Sequence, residues 1–539
     1  MEKMKFPRYG MTVVIAAFLL YAGVFIYRSS FFVNGERYFC LMDDAMISMR
    51  YARNLAMGLG MVWNAGERVE GFTNPLWTFY MAGLHLLPVG AAKVSLLVQI
   101  TSMLLLAVNI WMVGMLGWVI SKGSRFVAIA GAVLTAFYLP LNNWSLLGME
   151  VGCLSLLYTL GTFLAIRNLT EGRYRWNVYA ILGLALWVRM DAVVIFLAVW
   201  LFLIRTDPCY RMRHLWQGGL VLVFMLGGQM LLRYGYYHEW LPNTYFVKMT
   251  GYPIFLRIAR GFYVYLEFLW RTNLILVLLP FVVWALKRNW MLSLLLWIFA
   301  VMSAYSIYVG GDAWEWWGCN RFLCTVMPLF FVSLCYSVEV IITFISSRFE
   351  AIHSEKWAMW GRGAMLVLMV LILNAYRGPG MYPEFFLMRR PMLSEDTSRR
   401  VLVEEALKPI IDSQATVAVV QAGAAPYFLN NSCIDLLGKC EAAIARTPMH
   451  RHEIGMEKIR EFWPGHMKWN YDLSIVKYKP DVIFELWFKD PGIKYLQNYQ
   501  EIRLGDQSVW FKKDSSHINW EKVKQASSIT SLSFPSVKS

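Results

Sequence analysis

The chain is poor in charge: Asp, Glu, Lys and Arg make up only 16% of its 539 residues. A soluble chain carries roughly a quarter. Long apolar runs account for the deficit, at Met11–Tyr27, Val94–Ile120, Phe126–Pro140, Leu146–Ile166 and Phe322–Phe344. Each is as long, or nearly as long, as the about 20 residues a helix needs to cross a bilayer. Several such runs exclude a soluble enzyme. The sequence also lacks a P-loop and a GxGxxG in a strand–helix setting, the usual cradles for nucleoside phosphates. The eight cysteines form no CxxC and no zinc spacing, so no cysteine metal site is written into the chain. Most of them lie in or beside apolar runs, where a thiol acts as a small apolar filler. Cys433 and Cys440 fall in a polar tail and are candidates to pair if that tail sits in an oxidising compartment. No small-residue cleavage site follows the first apolar run. Tyr27, Arg28, Phe31 and Phe32 stand there instead, and the run reads as a retained span. There is no internal repeat.

What is present is apolar and aromatic. The chain is 58% hydrophobic with 24 Trp, a composition suited to membrane-interface belts. The net charge of +15 tempts a nucleic-acid reading. The basic residues, however, sit in short loops between apolar runs, which is the positive-inside pattern. Following that rule from a cytoplasmic N-terminus predicts about eleven spans and an outer C-terminus, in a polytopic α-helical protein of the cytoplasmic (inner) membrane. The segment Pro75–Leu87 is apolar but short and is expected to dip into the interface. Arg189 and Asp191 interrupt Trp176–Ile204, so that run is expected to form two short passes meeting at the outer face. Residues 1–376 would be the membrane domain, with 28–73 as a first outer loop and 235–271 as a long later one.

From Arg377 the composition turns polar. Strand-like runs stand at Thr416–Val420 and Val482–Leu486, and a hairpin pattern at Glu501–Leu504 and Ser508–Phe511 turns on Gly505–Asp506. With a helical stretch at 398–411, residues 377–526 are expected to form a small α/β domain outside the membrane. The Ser-rich segment 527–539 is expected to be disordered.

This topology gathers the unusual polar residues on one side: Asp43, Asp44, Glu70, Asn74, Glu150, Arg189, Asp191, Glu239, Asn243, Lys248, Asp312 and Arg321. Ionisable residues at a membrane edge are costly and are a functional hypothesis by default. Most of them also have a plainer reading. An Asp at position 43 or 44 caps a helix, Arg189 and Asp191 form a structural ion pair, and Glu150 ends a helix. Lys248 and Arg321 are interfacial bases, and Gly310–Asp312 is a turn. Trp314, Trp316 and Trp317 suit either an aromatic belt or sugar stacking. Against capping alone, Asp43, Arg50 and Asn54 recur at helical spacing, with Asp44 and Tyr51 on the neighbouring face. A partly desolvated carboxylate suits general-base work. The forked guanidinium groups of Arg50 and Arg53 suit a phosphate.

The run Asp43-Asp44-Ala45-Met46-Ile47-Ser48-Met49-Arg50-Tyr51-Ala52-Arg53-Asn54, with Gly58, Gly60 and the stretch Trp63-Asn64-Ala65-Gly66-Glu67-Arg68-Val69-Glu70-Gly71-Phe72-Thr73-Asn74-Pro75-Leu76-Trp77, resembles the GT-C membrane glycosyltransferases of the terminal β-(1→2) arabinofuranosyltransferase type. Shorter matches follow at Gly148–Glu150, Arg189–Asp191, Leu241–Lys248, Gly310–Asp312 with Arg321–Phe322, Ile434–Gly438 and Pro464–His466. The resemblance implies a GT-C fold and a carbohydrate-binding C-terminal domain. It implies a polyprenyl-phosphate sugar donor, with arabinofuranose as the best-known sugar, and a catalytic Asp at Asp43 or Asp44. Met190 replaces the proline usual between Arg and Asp or Glu, and Met46 and Met49 replace aromatic or branched residues. These departures leave the sugar open.

On this basis the chain is expected to move a sugar from a polyprenyl-phosphate donor to a glycan, glycolipid or glycoprotein acceptor. Asp43 or Asp44 would take the acceptor proton. Arg50, Arg53, Glu70, Asn74, Arg189, Asp191, Asn243, Lys248, Asp312 and Arg321 would hold the donor. Glu150, Trp314, Trp317, Asp435 and His466 are weaker candidates for acceptor contacts. No metal or other cofactor is expected to be essential, although a divalent cation is compatible with the carboxylates. The competing classes are a lipid-linked sugar transporter or flippase, whose polar groups belong near the midplane, and a non-catalytic envelope assembly protein.

Overall fold

The computed structural model describes residues 5–313, 320–348, 355–375, 379–450, 459–460, 462–487, 489–505 and 507–528. Trp314 and Trp317, Asp506 of the expected hairpin turn, and residues 529–539 lie outside them.

Among the described residues, six helices are long and apolar enough to cross a membrane: Arg8–Ser29, Ala91–Ile120, Val151–Glu171, Arg211–Tyr237, Trp290–Val309 and Met327–Arg348. Two bent pairs raise the number to eight: Arg125–Ala136 with Leu139–Leu146, bent by 52°, and Ile254–Arg271 with Leu274–Lys287, bent by 90°. The protein is a multi-pass membrane protein. On the Arg211–Tyr237 helix, Trp216, Leu220, Val223 and Phe224 are all exposed, as helices facing hydrocarbon rather than water require. The expected eleven spans are thus seen as fewer full-length helices. The shortfall lies in runs that break. Trp176–Ile204 divides into Asn177–Val188 and Val193–Thr206 around a short 3₁₀ turn, Met190–Ala192. That break is where the sequence places Arg189 and Asp191. The segment expected as a long loop, 235–271, contains two helices, Asn243–Met249 and Ile254–Arg271.

The chain forms two compact units. One comprises Met1–Arg28, Gln99–Met230 and Ile254–Pro391; the other comprises Ser29–Val98, Leu231–Pro253 and Met392–Ser539. The sequence pattern divides the chain near residue 377 instead. The reason for the difference is packing. Ile47, Tyr51, Met61, Trp63 and Phe72 from the first loop share one buried cluster with Val403, Val417, Val419, Val482 and Phe511 from the C-terminal part.

Within the second unit, strands β1 (Phe31–Val33) and β2 (Glu36–Tyr38) form a small antiparallel hairpin. Strands β3 (Val417–Val419), β4 (Cys433–Asp435), β5 (Val482–Ile483), β6 (Tyr499–Leu504) and β7 (Gln507–Lys512) form one sheet in the order β4-β3-β5-β7-β6. The first three strands are parallel and the last two antiparallel. The expected α/β character and the β6–β7 hairpin are present. The helix Trp520–Ser528 carries order past the expected boundary at 526. Cys433 and Cys440 are free thiols, both buried. One lies in β4 beside Arg50 and the other packs against Gly71, and the two candidates to pair do not form a disulfide.

Candidate functional site

The predicted polar residues fall into two clusters, one in each unit. In the second unit, Asp43 and Asp44 open the helix Asp43–Ala56. Asp43 Oδ1 accepts a 2.8 Å hydrogen bond from the Ala424 amide, at the start of the Ala424–Leu429 helix. The approach is close enough to require glycine next door. A Cβ on Gly423 would lie 2.0 Å from the Asp43 carbonyl oxygen and 2.7 Å from Asp43 Oδ1. Burial pushes the Asp43 carboxyl up to about 6. The Ala424 amide, Arg400 and Lys439 pull the other way, and Asp44 adds to the rise. A carboxylate with that proton affinity is matched to accepting a proton near neutrality. Asp44 Oδ1 is paired at 2.9 Å with Lys439 Nζ.

Arg50 is not available to a phosphate. Its Nε donates to the Trp63 carbonyl at 2.6 Å, and Nη1 to the Pro426 carbonyl at 2.5 Å. Nη2 donates to Asn64 Oδ1 at 3.0 Å and to the Asn431 carbonyl at 2.8 Å. The guanidinium also stacks over Trp63. The group is 2% exposed and ties the first loop to β4 and its flanks, which corrects the donor-binding expectation. Arg53 differs. Its Nη1 donates to the Tyr427 carbonyl, but its buried Nε makes no hydrogen bond. Burial beside Arg50 lowers its pKa to about 10.

Glu70 and Asn74 are also engaged internally. Glu70 Oε2 pairs with Arg233 Nε at 2.5 Å, both side chains buried. Asn74 Oδ1 accepts from Ser48 Oγ at 2.8 Å and Thr78 Oγ1 at 3.1 Å at the head of the Pro75–His85 helix. The Asn243 amide donates to the carbonyls of Gly438 (2.8 Å) and Lys439 (3.0 Å), while its Oδ1 accepts from Arg446 Nη1. Lys248 is half-buried, and its stem packs across Gly465. Asp435 is fully buried. Its Oδ1 accepts from the amides of Leu437 (2.9 Å) and Gly438 (3.2 Å), and its Oδ2 from Cys440 (2.7 Å). It therefore organises a loop and does not face an acceptor. His466 lies buried against Trp487, with the rings 5.5 Å apart.

In the first unit, Arg189 is gripped by two carboxylates. Its Nη1 is 2.6 Å from Glu150 Oε1 and its Nε 2.9 Å from Asp191 Oδ2. Tyr305 adds a longer hydrogen bond to Asp191. Glu150, Arg189 and Asp191 line a small cavity with Tyr158, Arg321 and Phe322. The plain ion-pair reading of Arg189 and Asp191 fits this geometry, with Glu150 as a third member. Asp312 Oδ2 accepts from the Arg321 amide at 3.0 Å and lies 3.6 Å from Arg321 Nε. Arg260, which the sequence pattern assigned to a loop, donates to the Gly310 carbonyl at 2.6 Å from the Ile254–Arg271 helix. It braces a turn in which Gly310 and Gly311 have φ of 95° and 75°, values that glycine adopts freely.

Residues unforeseen from the sequence are Lys439, Arg233, Arg260 and Arg400. Arg233 sits inside an apolar helix, where an unexplained charge is itself a signal. Lys439 directly follows the Ile434–Gly438 match. Among the described residues no three His, Cys, Asp or Glu side chains gather into a metal-binding group.

Residues 393–531 match a family described only as a domain of unknown function, DUF8728. Over 235 residues, 39% of its length, the chain is 28% identical to a terminal β-(1→2)-arabinofuranosyltransferase of Mycobacterium tuberculosis and covers 35% of it. Over 73 residues it is 40% identical to the protein of the same name from Corynebacterium glutamicum, covering 14% of this chain and 10% of that one. The match thus spans about a third of the first relative and a tenth of the second. The apo structure of ArnT from Cupriavidus metallidurans superposes with a TM-score of 0.54 at 11% identity, over 93% of this chain and 98% of that one. ArnT bound to undecaprenyl phosphate gives 0.53 at 12% identity over 95% and 99%. The apo oligosaccharyltransferase of Archaeoglobus fulgidus gives 0.54 at 10% identity over 95% and 75%. The chain therefore has the GT-C fold of these membrane glycosyltransferases and, in the matched part of its sequence, resembles the terminal β-(1→2)-arabinofuranosyltransferases.

Proposed function

We propose that the protein is a membrane glycosyltransferase that moves a sugar from a polyprenyl-phosphate donor to a glycan, glycolipid or glycoprotein hydroxyl at the outer face of the cytoplasmic membrane. The carrying observation is the adjacent carboxylates Asp43 and Asp44 at the head of one helix, one hydrogen-bonded to a backbone amide and the other ion-paired. The fold supports the lipid-linked donor, because ArnT of the same fold is known with undecaprenyl phosphate bound. D-arabinofuranose is the proposed sugar, on the likeness to the named relatives. No nucleotide sugar is available outside the cytoplasm, and a lipid carrier brings an activated leaving group to that face.

In this reading Asp43 takes the acceptor hydroxyl's proton as the oxygen attacks the anomeric carbon. The bond to the donor phosphate breaks, and the phosphate leaves on the lipid. Arg53 and Lys248 are the proposed anchors for that phosphate. A single displacement inverts the anomeric centre, whereas retention needs two displacements through a covalent intermediate.

The test uses membranes containing the full chain, a labelled acceptor fraction and polyprenyl-phosphoryl sugars supplied one at a time. Transfer from the arabinofuranosyl donor is the expected result. Transfer from a different polyprenyl sugar would reassign the sugar, and no transfer from any of them would overturn the enzyme reading. One observation favours a transporter instead: the charged triad at the broken helix around Met190–Ala192, since transporters break helices at their binding sites. Movement of an intact lipid-linked sugar across proteoliposomes, without transfer, would support it.

A further inference from the structure

The loop after β4 brings Lys439 to Asp44. Its backbone is fixed from three directions. From within, the Asp435 carboxylate binds the amides of Leu437, Gly438 and Cys440. From the 243–249 helix, the Asn243 amide holds the carbonyls of Gly438 and Lys439. From the first loop, Gly71 packs so closely that a Cβ there would lie 2.5 Å from Cys440 Sγ and 3.0 Å from the Lys439 carbonyl oxygen. Asn243 in turn receives its own support, since its backbone N–H donates to the Glu70 carbonyl at 3.0 Å. A side chain leaving so constrained a backbone has a preset destination, and the Lys439 ammonium lies 2.9 Å from Asp44 Oδ1.

We propose that Lys439 is a positioning residue for the Asp43–Asp44 pair, clamping Asp44 so that Asp43 is the carboxyl left to take a proton. This rests on the reading of that pair as the acceptor-activating site. A lysine only 8% exposed is costly unless its charge is compensated. Burial works against its charge, but the carboxylates of Asp44, Asp43 and Asp435 outweigh it and hold its pKa above the ordinary value. The influence is mutual. The charges facing Asp43 are Asp44 on its own helix, Lys439 on the loop, and Arg400 on the Met392–Leu407 helix. The Cys40 thiol lies on the preceding segment. Arg400 is already engaged by Glu485 at 2.5 Å and Asp396 at 3.6 Å, whereas Lys439 is engaged by the pair itself.

The experiment compares the full-length wild type with Lys439→Met and Lys439→Arg in membranes. Water-soluble carbodiimide reacts with protonated carboxyls. Its labelling of the peptide carrying Asp43 and Asp44 is followed by mass spectrometry as a function of pH, a readout that needs no substrate. Loss of the ammonium should let the pair keep its protons to higher pH. The labelling fall-off in Lys439→Met is expected to move up by about 1 pH unit or more, and the acid limb of transfer should move with it. Lys439→Arg keeps the charge and is expected to stay near the wild-type profile. Coincident profiles for wild type and Lys439→Met would overturn the proposal, as would a shift in Lys439→Arg as large as in Lys439→Met. Absence of transfer by the wild type with every polyprenyl sugar removes the functional reading alone, and the labelling curves still decide the role of Lys439.

Discussion

The two polar clusters are made of the same residue types and end in different states. In the first unit, one guanidinium, Arg189, lies between two carboxylates, Glu150 and Asp191. In the second, Asp44 is paired with one ammonium, while Asp43 is bonded to a backbone amide and keeps a raised proton affinity. The first arrangement stabilises a broken helix in an apolar setting. The second leaves Asp43 with a carboxyl whose proton affinity burial raises. Charge in an apolar chain thus does not identify a reactive group by itself. What identifies it is how far the neighbours have already committed it, and Arg50, with its donors spent on carbonyls and Asn64, makes the same point for a base.

Substitutions at the two clusters should separate chemistry from stability. Asp43→Asn should lower the transfer rate by about 10²–10⁴-fold with unchanged expression and thermal unfolding, because an amide is isosteric but cannot take the proton. Arg189→Met should do the reverse. It strands the buried Glu150 carboxylate and the partly buried Asp191 at a cost of about 3–5 kcal/mol, read as reduced folded yield and a lower unfolding temperature in detergent. Arg50→Lys should cost about 2 kcal/mol through lost carbonyl hydrogen bonds while leaving any remaining transfer with the wild-type pH profile. A changed profile would return Arg50 to the donor site.

A pH-dependent effect concerns Glu404, buried on the Met392–Leu407 helix. Burial raises its carboxyl to about 8, against the pull of Lys408. The folded value lies above the unfolded one, so its contribution to stability is full below the unfolded pKa and is lost as pH rises through the folded pKa. Glu404→Gln mimics the protonated form. Its stability relative to wild type should therefore rise from the ordinary carboxylate range up to about pH 8 and level off above it, as followed by thermal unfolding across that range. A constant difference at all pH values would show that Glu404 does not titrate in the fold.

The spans at Arg8–Ser29, Ala91–Ile120 and Trp290–Val309 were legible in the sequence because hydropathy is local. So was the break at Arg189, since a helix in hydrocarbon does not easily carry that residue. The Ile254–Arg271 helix was not. It is amphipathic and carries Arg257, Arg260, Glu267 and Arg271, which gives it the composition of a loop. Its buried arginines are explained by the carbonyls of Tyr308, Gly310 and Asp312 that they meet. The Asp43–Asp44 motif was legible as a candidate, but its asymmetry was not. Ala424 is 381 residues from Asp43, and Lys439 is 395 from Asp44. The same distance hides why residues 29–98 group with the C-terminal part: the apolar faces of both are visible in the sequence, but the pairing between them is not.

The most direct test of the central claim is the pH dependence of sugar transfer, measured in membranes with a saturating polyprenyl-phosphoryl donor. With Asp43 as the base, the rate should rise through an acid limb centred at about pH 6 and reach a plateau above it, and Asp43→Asn should abolish both the limb and the bulk of the activity. A rate that is flat through this range, or an Asp43→Asn variant that transfers sugar as fast as the wild type, would contradict it.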